Sequence, residues 1–296
     1  MWKYLIGKYI RQAAAEKVHE VVAEAAETAR ARADDAAGDI NSRQRPTSDV
    51  GVVFSNAVEQ AGFVKRLKNP VSLQGDGFTA QEGLLAGRRI VVVHAGAGLK
   101  AAAQAARALA AGHRPEWIIC AGFASGLTEK VHRGDFIMAD GVTNRDDNRL
   151  AIDLIIDPKA AKAMSSVHLG RLVTLDQLPL NENDKREAGR RYEALAADSA
   201  TYAVLDVCRG SKLRCVAVRI ISDSVTDNLP ADLAHLLAEK TVAGKLGAAT
   251  GAIWRRPAGV KDWWKFKEDA VKHSDRLAKF LESTIIQLVP PAQQGA

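Results

Sequence analysis

Aromatic side chains make up only 5% of the 296 residues. Single-strand nucleic-acid binders stack bases on exposed rings, so this scarcity argues against that class of partner. Cysteine is scarcer still, with Cys120, Cys208 and Cys215 alone. An odd number without C-x-x-C spacing supports neither a disulfide framework nor a zinc site. Cys120 and Cys215 fall in apolar runs and read as small core residues, which suits a reducing cytoplasm. The chain has no run of eighteen apolar residues, so no transmembrane helix is expected. The apolar part of the opening MWKYLIGKYIRQ is too short and interrupted for a signal peptide. Nothing resembles a metal site. The glycines of HAGAGLKAA (94–102) do not follow G-x-G-x-x-G, and no ribose-binding acid follows them, so no dinucleotide cofactor is expected.

Apolar residues reach 47% and charged residues 26%, the balance of a globular protein with a sizeable core. The net charge of +6 comes from bases interleaved with acids, as in DKREAGRR (184–191) and WWKFKEDAVKHSDR (263–276). Such runs read as solvated helix faces rather than a nucleic-acid surface. The positive excess would also suit an anionic substrate.

Residues 1–37 carry apolar side chains at helical spacing, among them Leu5, Ile6, Tyr9 and Ile10, and NSRQRPTSD then breaks the pattern. An N-terminal helix and linker over 1–46 is the expectation. Lys3, Lys8 and Arg11 flank its stripe, which would suit a membrane surface; packing on the body or on a second subunit is the preferred reading. From residue 50 the period changes. Strands are expected at 50–54, 88–95, 116–122, 135–142, 171–176 and 214–222, as continuous apolar runs that suit burial on both faces. Helical patterns lie between them at 56–67, 99–112, 157–166 and 185–208. A long amphipathic helix closes the chain at 260–289, with Trp264, Phe266, Ala270, Leu277, Phe280, Leu281 and Ile285 on its apolar face. Alternating strands and helices predict a three-layer α/β/α sandwich around a mixed, largely parallel sheet, over 47–290, with a flexible tail at 291–296.

Chemistry concentrates at strand ends. RCVAVRIISD (214–223) runs apolar to Ile221 and then delivers Ser222 and Asp223, and α/β enzymes place functional residues at the carboxyl ends of their strands. The alternative is a turn-forming or helix-capping aspartate. Two glycine-rich turns, HAGAGLKAA and CAGFASGL (120–127), would let backbone N–H groups approach a ligand, or would simply permit tight turns.

The order of these segments resembles the nucleoside phosphorylase superfamily, and within it the methylthioadenosine/S-adenosylhomocysteine nucleosidase branch. VGVVFSNAVEQ is similar to the family's opening strand, ending in a MEEE-type run. VVVHAGAGLKAAA, IICAGFASGLTEKVHRGDFIMAD, LAADSATYAVLDVC and VAVRIISDSVTD follow in the family's order, over residues 49–285. The resemblance implies that Asp223 is the general acid that protonates the departing purine and that Glu59 addresses the attacking water. It implies that Asp198 stands for the glutamate binding the ribose hydroxyls, with Ala197 in place of the family's methionine. Gly122, Phe123 and Ser125 belong to the glycine turn beside the substrate, where Phe123 replaces a serine and Ser125 a glycine. Gln177 and Leu178 stand where the family meets the base, and Ser222 belongs to the acid's ISD motif. The stretch between Val142 and Arg171 is shorter than usual, which would trim a substrate-covering loop.

Three readings compete. The first is hydrolysis of a purine nucleoside, without a cofactor and by a cytoplasmic homo-oligomer acting in nucleoside catabolism and methionine salvage. The second uses phosphate, held by an anion or ribose site at Gly96 and Gly98 with Lys100 or Arg219. The third is a non-catalytic nucleoside-binding homologue.

Overall fold

The computed structural model describes residues 48–289 apart from 76–77, 97, 153–165 and 230–258, and the side chain of residue 75 and those of 259–267 are not described. The expected N-terminal helix and linker, nearly all of the helix at 157–166, the middle of the stretch between Val142 and Arg171, the tail, and the contacts of Trp264 and Phe266 lie outside that set.

Among the described residues ten strands form one sheet: β1 (Val50–Phe54), β2 (Lys68–Gly75), β3 (Phe78–Leu85), β4 (Arg88–His94), β5 (Trp117–Gly126), β6 (Phe136–Asn144), β7 (Arg149–Ala151), β8 (Val167–Thr174), β9 (Ala196–Asp198) and β10 (Arg214–Asp223). The helices are α1 (Ala57–Val64), α2 (Leu99–Ala108), α3 (Glu182–Tyr192), α4 (Thr201–Gly210) and α5 (Gly259–Leu288).

Strand β1 is buried throughout and sits between β4 and β5, parallel to both. Successive side chains of a strand point to opposite faces, so β1 shows how the layers form. Phe54 meets Phe63 of α1 on one face, with ring centroids 6.0 Å apart. On the other face, a Cβ added at Gly51 would lie 3.1 Å from Leu109, just past α2. Helices therefore cover both faces, as the continuous apolar strands require. α5 joins α1, and Ala270, Leu277, Phe280, Leu281 and Ile285 are all buried. The α1–α5 approach is close: a Cβ on Gly62 would fall 2.7 Å from the Ser274 backbone. Ser274 Oγ bridges the helices, donating to Glu59 O at 3.1 Å and accepting from Gly62 N at 2.8 Å.

Half of the sheet is open and half is closed. From β1 outward, β4, β3 and β2 follow in order, and β2 pairs only with β3 among the described strands. On the other side, β5 pairs with β10, β10 with β6, β6 with β8, β8 with β9, and β9 returns to β5. The helical pattern expected across 185–208 is divided by β9. Ala196 and Ala197 are helix formers by propensity, but here they complete a ring of strands, and tertiary pairing overrides local preference. Among the described residues no helix is long and apolar enough to cross a membrane.

Candidate active site

β1, β4, β5 and β10 run parallel, so their carboxyl ends share one edge of the sheet. Most of the residues singled out from the sequence come from that edge. Glu59 follows β1, Gly96 and Gly98 follow β4, and Gly122, Phe123 and Ser125 end β5. Ser222 and Asp223 end β10, whose register places Arg219 beside Gly122 and Asp223 beside Ser125.

Glu59 is held by its own helix. Asn56 caps α1, its Oδ1 accepting from Val58 N and Glu59 N at 3.1 and 3.0 Å. Glu59 Oε2 reaches back to accept from Ser55 N and Asn56 N at 3.1 and 3.2 Å, completing a capping box. Oε1 accepts from Phe123 N at 3.0 Å, which carries the carboxylate across to β5. Burial pushes this carboxyl above the ordinary glutamate range, against the opposing pull of Arg219 and the three backbone donors. Gly122 makes room for the arrangement: a Cβ there would sit 2.8 Å from Glu59 Oε2 and would also collide with the Arg219 guanidinium.

Arg219 lies beneath, 1% exposed. It pairs with Asp198, and donates to Thr201 Oγ1 from Nη2 and Nε at 2.7 and 3.2 Å and to Cys120 Sγ at 3.0 Å. Burial works against its charge, yet Asp198, Cys120 and Glu59 together hold it firmly protonated. Cys120, the buried neighbour, has its thiol pushed up to about 11 by desolvation, with Arg219 pulling down and Asp198 pushing up. It is a packing residue and a poor nucleophile.

Asp198 is held from within the protein. It is 2% exposed, and internal donors surround both carboxylate oxygens. Thr174 Oγ1 donates to Oδ1 at 2.6 Å. Oδ2 receives Thr201 N at 2.9 Å, the Thr201 hydroxyl, Ala200 N at 3.4 Å and Arg219. A carboxylate has about four lone-pair sites; Oδ2 is fully engaged within the protein and braces Arg219, whereas Oδ1 has Thr174 as its one donor among the described residues. Ala197 is fully buried in a small apolar cluster with Leu127, Val173, Tyr192 and Ala194, against which the partly buried Leu178 packs. Gln177 is exposed.

Asp223 is 3% exposed, and among the described residues its carboxylate is held by side chains alone. Ser125 Oγ and Ser222 Oγ donate to Oδ1 at 3.2 and 2.6 Å. Lys185 Nζ donates to Oδ2 at 2.6 Å. This lysine lies in the charged run that reads as a solvated face, yet it has no exposure at all. His273 and Ser274, in the second such run, are buried as well. The His273 ring meets Phe123 edge-on, 6.0 Å between centroids. Burial and Arg276 lower the His273 pKa.

Gly96 and Gly98 have φ of +83° and +94°, a conformation that favours glycine, and open space lies where each Cβ would be. Gly98 caps α2 without a side-chain hydrogen bond. The first turn of α2 therefore faces the same edge as Glu59 with donors that no capping side chain covers.

The Phosphorylase superfamily profile matches residues 50–255. A 5′-methylthioadenosine/S-adenosylhomocysteine nucleosidase from Aeromonas salmonicida is 24% identical over 196 residues, covering 59% of this chain and 85% of that protein. Among solved structures, the S. pneumoniae nucleosidase of the same name, with a transition-state inhibitor, has a TM-score of 0.60 at 18% identity, covering 81% of this chain and 100% of that one. An S-adenosylhomocysteine nucleosidase from Streptococcus pyogenes, in complex with 5-methylthiotubericidin, reaches 0.62 at 14% identity, covering 84% and 100%. A profile match over most of the chain, joined to the same fold in solved structures, settles the family: the chain belongs to the phosphorylase superfamily.

Proposed function

We propose that this chain hydrolyses the N-glycosidic bond of a purine nucleoside of the methylthioadenosine/S-adenosylhomocysteine type. The observation that carries the proposal is the pair of buried carboxylates, Glu59 and Asp223, on one sheet edge with separate sets of partners. As the C1′–N bond breaks, its electrons pass to the purine, and a proton from Asp223 reaches a ring nitrogen. Water attacks the oxocarbenium-like carbon and gives its proton to Glu59, whose raised pKa makes it a better base than an exposed glutamate. Free purine and free sugar leave. The names of the relatives support the substrate class. Glu59 supports water as the nucleophile, because a buried carboxylate at this edge would repel a phosphate held beside it.

The uncapped start of α2 and the exposed Lys100 beside it favour phosphorolysis as the second reading. Methylthioadenosine, S-adenosylhomocysteine, adenosine and inosine, each with and without phosphate, separate the two. Purine release with free sugar, independent of phosphate, is expected. A sugar 1-phosphate as the main product would move the chain to the phosphorylases, and no release from any of the four would end the nucleosidase reading.

A further inference from the structure

We propose that Lys185 is a positioning residue for the acid: it pins Asp223 through Oδ2 and leaves Oδ1 as the oxygen that carries and delivers the proton. The inference rests on the nucleosidase reading above. Lys185 Nζ lies 2.6 Å from Asp223 Oδ2, 3.0 Å from Ser224 O and 2.7 Å from Asp227 O. An ammonium has three donors and no acceptor, and these partners use all three. A lysine with no exposed surface keeps its charge only with an opposite charge and complete hydrogen bonding, and this cage supplies both.

The two carbonyls belong to the loop that follows β10. Two further ties of that loop lead toward α3, Glu182 N donating to Asn228 Oδ1 at 3.1 Å and Leu229 N to Leu180 O at 2.7 Å, while Arg133 holds Ser224 and Asp227 from the other side. Lys185 thus fixes both the carboxylate and the chain that leaves it.

The two oxygens of Asp223 then differ in kind. Ser222 Oγ lies 2.6 Å from Oδ1 and 3.2 Å from Ala124 O, with a single hydrogen to give. It donates to Oδ1 when the carboxylate is ionised. When Oδ1 is protonated, it accepts that proton's hydrogen bond and donates to Ala124 O instead. Nζ, facing Oδ2, only donates. A proton is therefore tolerated on Oδ1 and repelled from Oδ2. When Oδ1–H passes to the purine nitrogen, the carboxylate left behind already has the ammonium and two hydroxyls around it. Its new charge meets donors in place, with no reorganisation.

The test is a double-mutant cycle of Lys185→Met and Asp223→Asn in the full chain, with purine release from methylthioadenosine, adenine binding by calorimetry and thermal melting. Lys185→Met should lower kcat about ten- to a hundredfold while KM stays within about threefold. In the Asp223→Asn background it should add less than about twofold, because its effect passes through that carboxylate. Losses that multiply, or a Lys185→Met enzyme with wild-type kcat, would overturn the inference. If Lys185→Met does not fold, Lys185→Gln, which keeps a donor without the charge, takes its place in the same cycle. A wild type that binds adenine but releases no purine ends the nucleosidase reading alone. Adenine affinity then carries the cycle: losses below the product of the two singles support the positioning of Asp223 by Lys185, and multiplying losses reject it. A wild type that neither binds adenine nor releases purine overturns both.

Discussion

Glu59 and Asp223 stand at the same edge of the same sheet but are held in opposite ways. Glu59 takes its hydrogen bonds from backbone N–H groups of Ser55, Asn56 and Phe123. Asp223 takes its own from the side chains of Ser125, Ser222 and Lys185. Backbone donors persist whatever the side chains become, so the place of Glu59 is built into the strand–helix turn and β5. The place of Asp223 depends on three side chains from β5, β10 and α3, each of which one substitution can remove. One carboxylate is secured by the fold and the other by composition.

The largest effect is expected at a third carboxylate, which pairs with the arginine beneath Glu59. Asp198→Ala leaves the buried Arg219 without its counter-charge, and breaking a buried pair in this way costs about 3–5 kcal/mol. Chemical denaturation should show the loss directly. If Asp198 served ribose instead, KM would rise and stability would hold.

Next comes Asp223→Asn, which is nearly isosteric and has no transferable proton. General acid catalysis contributes about 10²–10⁴-fold, so turnover should fall by that much, and the melting temperature should fall as well because the buried Lys185 loses its counter-charge. A loss under about tenfold would remove Asp223 from the acid's role.

The smallest effects belong to Glu59's support. Asn56→Ala removes the cap of α1 and should cost about 1 kcal/mol of stability, with a modest drop in rate measured at saturating substrate. The base must be ionised to take a proton from water, and the folded-state pKa of Glu59 is raised. Activity should therefore fall as pH drops through a value above the usual glutamate figure of 4.5. A kcat/KM profile still flat below that figure would separate Glu59 from the rate.

The sequence carries much of this architecture, for reasons that can be traced. Strands β1, β4, β5 and β10 are apolar on both faces, and a run such as RIVVVH has few other readings. The β2–β3 hairpin escapes the expected strand set because it is half-exposed, and its KNPVSLQG strand shows no continuous apolar run. The strand-end position of Asp223 is legible; its partner is not. Lys185 lies in a stretch where lysine and arginine alternate with acids, and only the packing of α3 under the loop after β10 separates it from its solvated neighbours. The partner of Asp198 is hidden for a similar reason. A family motif gives the place of a carboxylate along the chain, whereas its role depends on the side chain facing it, here Arg219 from a different strand.

The closed half of the sheet has a consequence for association. A strand paired on both sides has no free N–H or C=O row with which to recruit another chain. Around β5, β10, β6, β8 and β9 the pairing returns on itself, so the strands that carry the chemistry offer no template for strand addition. Along the main order of described strands the open margin is β2, at the far end from β10. That margin begins Lys68-Asn69-Pro70, a charge and a ring without an N–H, both of which discourage edge-to-edge pairing. Substitutions that loosen the site can thus cost activity while leaving the ladder that faces other molecules as it was.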